Sequence, residues 1–162
     1  RRVKGSNSWM KAKEAVAKTH LKISRQRKDF LHKISYKYAQ YDLIAVEKLN
    51  IKGMLKNHHL AKSISDASWN MLLRLIRYKA ANAGSYFVEV NPKYTSQKCS
   101  GCGAIIQKSL SVRTHICPEC SLIIDRDHNA SLNILRAGSA LGGEMGLPIS
   151  LKPEATKSLA KW

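Results

Sequence analysis

From about Ser8 to Tyr41 the positions Trp9, Ala12, Val16, His20, Ile23, Phe30, Leu31, Ile34, Tyr38 and Tyr41 follow a three- and four-residue step, uninterrupted by proline or glycine. This period predicts one long amphipathic helix, with a break allowed at Arg25-Gln26-Arg27. Asp42-Leu43-Ile44-Ala45-Val46-Glu47 then predicts a buried strand with Glu47 at its C-terminal tip. The polar stretch from Lys52-Gly53 to His59 reads as a loop. Ser63, Ser65 or Asp66 can cap a helix reaching about Ala83, where Gly84 supplies the stop. Leu72, Leu73, Ile76 and Ala80 form the expected buried stripe of that helix, with Arg74, Arg77 and Lys79 directed elsewhere. Ser85 to Val90 alternates as a second strand closed by Asn91-Pro92. Asp127 opens a last helix through Leu132, Ile134 and Leu135, with Gly138 as its expected stop. Residues 139–162 lack a period and read as a tail or a loosely docked segment.

Charge narrows the partner. The chain holds 28 Lys+Arg against 11 Asp+Glu, a formal +17 over 162 residues, which points to a polyanion. Residues 1–40 carry twelve basic side chains and only two acids, Glu14 and Asp29, so ten of the seventeen excess charges lie there. A solvated helix face is the bland explanation, but so lopsided a ratio leaves most cations without an ion-pair partner. Phosphate contact through residues such as Arg25, Arg27, Lys28 and Lys33 is the expectation, with DNA or RNA as partner. No run of eighteen apolar residues is present, so no membrane span is expected.

Four cysteines stand in two Cys-x-x-Cys knuckles, Cys99/Cys102 and Cys117/Cys120, with fourteen residues between them. A short hairpin of that length can bring four thiolates to the corners of a tetrahedron, and a closed set of four implies a structural Zn²⁺. Gly101, Gly103 and Pro118 suit the tight turns that such knuckles need. Two disulfides or a redox pair are the alternatives. The basic composition and the absence of a recognisable signal segment favour a reducing, cytoplasmic setting, where paired knuckles mean metal. His115 can compete as a ligand but reads more simply as a polar hairpin residue.

The acids are less distinctive. Glu47 ends a strand, and Asp125 and Asp127 open a helix whose N-terminus favours negative charge. Carboxylates in such places can converge on divalent cations, as two-metal phosphodiester cleavage requires. They can equally be a surface glutamate and a helix cap.

Five ordered stretches carry a family likeness: Asp29-Phe-Leu-His-Lys-Ile-Ser, Ile44-Ala-Val-Glu-Lys-Leu-Asn-Ile-Lys-Gly-Met, Leu60-Ala-Lys-Ser-Ile-Ser-Asp-Ala, Lys98-Cys-Ser-Gly-Cys-Gly and Asp125-Arg-Asp-His-Asn-Ala-Ser-Leu-Asn-Ile-Leu. Over about residues 1–138 the chain resembles the TnpB (OrfB) proteins of bacterial and archaeal insertion sequences, which are similar to the type V CRISPR effectors. The resemblance implies an α/β fold, a partial RNase H-like (RuvC-like) domain with an inserted zinc ribbon. It divides the chain into a nuclease portion with the long basic helix (1–94), the ribbon (95–124), the final nuclease motif and helix (125–138) and the tail (139–162). It further implies RNA-guided DNA cleavage, with DNA and a guide RNA from the mobile element as partners, Mg²⁺ or Mn²⁺ as catalytic ions and a location at the nucleoid. By position Glu47 matches the family's second catalytic acid and Asp127 its third, with Asp125 a supporting neighbour. Cys99, Cys102, Cys117 and Cys120 match its zinc ligands.

One departure qualifies that implication. The family's first catalytic aspartate lies on an early strand in an Asp-x-Gly context, and nothing before Glu47 corresponds to it; the candidates Glu14, Asp29 and Asp42 are wrongly placed. The expectation is therefore the C-terminal portion of a longer protein, needing its N-terminal part to complete the site and inactive alone. A nuclease-dead binding module, a transposition accessory or a transposase are the other readings.

Overall fold

The computed structural model describes residues 3–109 and 111–144. The N-terminal period forms one helix, α1 (Asn7–Tyr38), opened by Ser6, whose hydroxyl accepts the Trp9 N–H at 3.2 Å. It runs unbroken through Arg25-Gln26-Arg27, since nothing there removes a backbone donor or demands a left-handed residue. Its apolar stripe is only partly used. Leu31 and Ser35 are buried near the C-terminal end, whereas Val16, Ile23 and Phe30 remain exposed.

After α1 come β1 (Leu43–Glu47), α2 (Ile51–Met54), α3 (Ala61–Ala67), α4 (Trp69–Ala83), β2 (Tyr86–Val90), β3 (Thr114–Ile116), β4 (Ile123–Asp125) and α5 (Arg126–Glu144). Strands β1 and β2 pair in parallel, with Leu43 opposite Tyr86 and Glu47 opposite Val90. Side chains alternate across such a sheet. Ile44, Val46 and Phe87 meet Ile76, Ala80 and Leu72 of α4 on one face. Ala45 and Val90 meet α5 on the other. Helix α1 packs behind α4, where Lys79 Nζ donates to the His32 carbonyl and Ser85 Oγ donates to the Ala39 carbonyl at 3.0 Å. The result is an α/β layering, helices on both faces of a short parallel sheet. Among the described residues no helix is long and apolar enough to cross a membrane.

Four details depart from the expected elements. Ile51–Met54 forms a helical turn where a loop is expected, because Asn50 caps it by accepting the Gly53 N–H at 2.9 Å and Ile51 is buried. The helix expected to run to Ala83 is two helices, separated at Ser68, which takes a left-handed conformation (φ 54°). Ser63, Ser65 and Asp66 lie inside α3 rather than capping it, and Asp66 pairs with Arg27 at 2.9 Å. Lys79, expected to face away, instead turns toward α1 over the Tyr36 ring.

A fifth departure is the largest. Gly138 does not stop the last helix, which continues to Glu144, so residues 139–144 are not tail. The rest of the expected tail, 145–162, lies outside the described residues. Gly138 is buried, and a Cβ built on it would sit 2.4 Å from Ala45 Cβ. Its lack of a side chain lets α5 approach β1. Gly138→Ala should therefore destabilise the fold by about 1–3 kcal/mol through overpacking. Gly143→Ala, with nothing within 4 Å of its added Cβ, should instead be neutral or stabilising by up to about 1 kcal/mol, the intrinsic helix preference. Denaturant unfolding of the two variants checks the contrast, and equal effects would remove the close-packing role of Gly138.

Candidate functional site

Each cysteine knuckle is the tip of a small hairpin. In the first, the Cys99 N–H donates to the Ala104 carbonyl at 2.8 Å, and Gly103 N–H returns to the Cys99 carbonyl at 3.0 Å. In the second, the Cys117 N–H donates to Leu122 at 3.0 Å and Ser121 N–H returns to Cys117 at 3.0 Å. Gly103 (φ 86°) and Ser121 (φ 58°) are thus equivalent left-handed turns, one after each second cysteine. Strands β3 and β4 pair antiparallel, His115 opposite Ile124, and hold the second knuckle against the first.

The four Sγ atoms lie within 4.8 Å of one another. Cys99 and Cys120 are 3.6 Å apart and Cys102 and Cys117 3.5 Å apart, so each close pair joins the two knuckles. A tetrahedral ion with metal–sulfur bonds of about 2.3 Å has sulfur–sulfur edges of about 3.8 Å, so the donor set fits such an ion closely. Cys99 and Cys117 are buried, while Cys102 and Cys120 face outward. Burial pushes the Cys99 thiol up, but the Cys102 and Gly101 N–H groups, the His115 ring and the Cys120 thiol outweigh it and bring it down to about 5. The Leu122 N–H pulls Cys120 down, yet burial and its three sulfur neighbours push it up to about 12. Crowded thiols resist a second negative charge beside the first. A dication at their centre removes that conflict, which is why such a set binds metal with release of protons.

His115 is not a surface hairpin residue. It is fully buried, and Lys108 Nζ contacts its Nδ1. Its Nε2 has no hydrogen-bond partner among the described residues, and the side chain helps to lower the Cys99 thiol. Nothing in the sequence distinguishes this role from a polar hairpin position except the two-residue spacing to Cys117.

The residues that tie the knuckles to the sheet lie on α5, and an apolar period cannot reveal them. The fully buried positions of α5 are Asn129, Asn133, Gly138 and Gly142, a polar and glycine stripe, with Leu132, Ile134 and Leu135 half-buried beside it. Asn129 accepts the Ser100 N–H at 2.8 Å and donates to the Lys98 carbonyl at 2.8 Å. Asn133 donates to the Thr95 and Lys98 carbonyls at 2.9 and 2.6 Å. Arg136 donates to the Ser100 carbonyl at 2.9 Å.

Glu47 ends β1 on the face covered by α5, half-buried, and its Oε1 accepts the Thr95 hydroxyl at 2.5 Å. Asp127 stands in the first turn of α5, exposed, 3.3 Å from Arg126 Nε and 3.9 Å from Arg113 Nη1. The two acids share no common partner. Asp127 lies six residues, about 9 Å of helix rise, before the Asn133 that braces the Thr95 loop. Among the described residues the four cysteines are the one group of three or more potential ligands gathered around a point. Asp125 caps α5, its Oδ1 accepting the Asp127 and His128 N–H groups at 2.8 and 3.0 Å. Of the basic residues singled out on α1, Arg27 is paired with Asp66 and Lys33 with Asp29 at 2.6 Å. Arg25 and Lys28 show no ion pair among the described residues.

A long basic helix, a short parallel sheet and a four-thiolate double knuckle define a class of fold shared with Cas12f1. A Cas12f1 chain, solved in complex with sgRNA and target DNA, superposes with a TM-score of 0.60 at 20% identity, over 76% of this chain and 37% of that one. Residues 1–58 match the OrfB family of IS605 elements, described as "Probable transposase", and residues 69–134 match the Cas12f1-like TNB domain. A protein of Streptomyces pristinaespiralis named "Putative RNA-guided DNA endonuclease" is 40% identical over 86% of this chain and 35% of its own length. The similarly named InsQ of Escherichia coli K12 is 32% identical over 94% of this chain and 44% of its own length. The chain belongs to the TnpB (OrfB) family. It spans less than half the length of these two relatives.

The Asp125 cap carries a pH signature. The His128 and Asp127 N–H groups hold its carboxyl below the ordinary value of 3.8. A lowered folded pKa means that the cap's stabilisation is present above that ordinary value and is lost as pH falls through the lowered one. Asp125→Ala should lower the thermal midpoint at neutral pH, and its gap to the wild type should narrow in acid. Melting curves across that range check it; a gap independent of pH would leave the cap without an energetic role.

Proposed function

We propose that the chain forms part of a transposon-associated, RNA-guided DNA endonuclease whose RNase H-like (RuvC-like) core hydrolyses phosphodiester bonds. The observation that carries this reading is the placement of the two motif acids on one side of the sheet: Glu47 ends β1 facing α5, and Asp127 opens α5. The names of the two relatives and the nucleic acids bound to the Cas12f1 neighbour support the same reading. So does the sheet, which has two strands and open outer edges among the described residues. Further strands of a larger sheet can add to such edges.

In this reading Glu47, Asp127 and a third acid hold the divalent ions. Mg²⁺ or Mn²⁺ bound there would activate the attacking water and stabilise the leaving oxygen. Asp125 keeps the first turn of α5 in place by capping it. The exposed cations of α1, Arg25 and Lys28 among them, supply sequence-independent phosphate affinity, while guide pairing reads the DNA target. The thiolate site takes Zn²⁺ as a structural ion, since its four closed ligands leave no open position for substrate.

A second reading, binding without cleavage, applies to the isolated chain, because Glu47 and Asp127 alone do not gather into a three-ligand cluster. The 162-residue chain should therefore bind nucleic acid without cutting it. In a longer protein carrying this chain, with guide RNA and Mg²⁺, Glu47→Ala or Asp127→Ala should reduce cleavage to background and spare target binding. Gel-based cleavage and binding assays run side by side test this, and guided cutting that survives Asp127→Ala would falsify the assignment.

The purified chain should also contain about one zinc per molecule. Cys117→Ser should lower that content and the thermal midpoint together, because a structural metal contributes folding energy directly. Elemental analysis well below half an equivalent would count against the zinc assignment.

A further inference from the structure

Thr95 lies between the two candidate centres. Its hydroxyl is 2.5 Å from Glu47 Oε1 and 3.1 Å from the Pro92 carbonyl. A hydroxyl has one proton to give. The shorter contact, to a charged acceptor, takes it, since charge-assisted bonds are shorter and stronger than neutral ones. One oxygen of the carboxylate is thereby fixed.

Thr95 is itself held from behind. Its carbonyl accepts from Asn133 Nδ2 at 2.9 Å, and the second proton of the same amide goes to the Lys98 carbonyl at 2.6 Å. Lys98 immediately precedes the thiolate ligand Cys99, and its carbonyl also accepts from Asn129. Asn129 is fully buried, and Asn133 is 9% exposed. Both lie on the helix that bears Asp127. A continuous run of hydrogen bonds therefore leads from the first knuckle, through the two asparagines of α5, to the strand-end carboxylate.

We infer that Thr95 is a positioning residue that sets the rotamer of Glu47 for divalent-ion binding, and that Asn133 couples it to the thiolate centre. The inference rests on the catalytic reading of Glu47 given above. The Thr95 hydroxyl replaces water as the partner of one carboxylate oxygen, and the other oxygen is presented to the ion. Without the hydroxyl the glutamate is free to sample other rotamers. The knuckle's metal acts on this carboxylate at a distance, because it fixes the backbone carbonyls on which the asparagines close.

The test uses a longer zinc-loaded protein that carries this chain and supplies the third acid, with Mn²⁺ as the probe, titrated by electron paramagnetic resonance. Glu47→Ala should abolish a Mn²⁺ site seen in the wild type. Thr95→Val, nearly isosteric but without the hydroxyl, should weaken that site about tenfold, the scale of one hydrogen bond to a charged group. Thr95→Ser, which restores the hydroxyl, should recover most of it, and zinc content should be the same in all three. If Glu47→Ala leaves Mn²⁺ binding unchanged, the catalytic reading of Glu47 fails, and this inference with it. If Glu47→Ala abolishes binding while Thr95→Val behaves as wild type, the reading stands and the positioning role is overturned. Equal losses in Thr95→Val and Thr95→Ser would also overturn it, by assigning the effect to packing of the methyl group.

Discussion

Two asparagines buried on one face of α5 impose the constraint from which the rest of the arrangement follows. A buried amide left without partners costs on the order of 1–3 kcal/mol. Asn129 and Asn133 avoid that cost by bonding to the backbone at Thr95, Lys98 and Ser100. The loop that carries the first knuckle is therefore not free to find its own position. It is held against α5, and α5 is in turn held against the sheet by the close approach of Gly138 to Ala45. Strand, helix and knuckle become one unit through polar satisfaction and the close approach that a glycine without a Cβ allows.

The two candidate centres differ as their chemistry requires. The thiolate set is closed and half-buried, supported by N–H donors and by the His115 ring, as suits an ion that only holds the fold. Glu47 is half-buried, and Asp127 is exposed with its carboxylate beside Arg113 and Arg126. Exposed pairs of that kind contribute little stability. They leave the carboxylate available to a stronger cation, which a deeply buried pair would not.

The long helix shows the same division between scaffold and surface. Only its C-terminal end packs, through Leu31, Ser35 and the Lys79 contact to His32, while its N-terminal two-thirds carries cations and exposed apolar side chains together. Arg27 and Lys33 are engaged by Asp66 and Asp29 on the protein itself, whereas Arg25 and Lys28 show no ion pair among the described residues. Composition reports the excess of charge. It does not report which cations are already neutralised.

Much was legible from the chain alone. The long helix, the strand ending at Glu47, the strand ending at Val90 and the convergence of four cysteines follow from local periods and fixed spacings, which are short-range properties of a sequence. Family membership followed from ordered motifs. The break at Ser68, the capped turn after Asn50, the continuation of α5 past Gly138 and the burial of His115 did not. Each depends on what the residue meets across the fold: a serine takes a left-handed conformation between two packed helices, and a glycine is retained for a neighbouring strand. The asparagine stripe of α5 is the clearest case. Read as a sequence, Asn129 and Asn133 are polar and belong on a surface; only the tertiary structure supplies the carbonyls that allow them to be buried. Hydrogen-bond satisfaction is a property of the assembled backbone, and no periodicity of side chains encodes it.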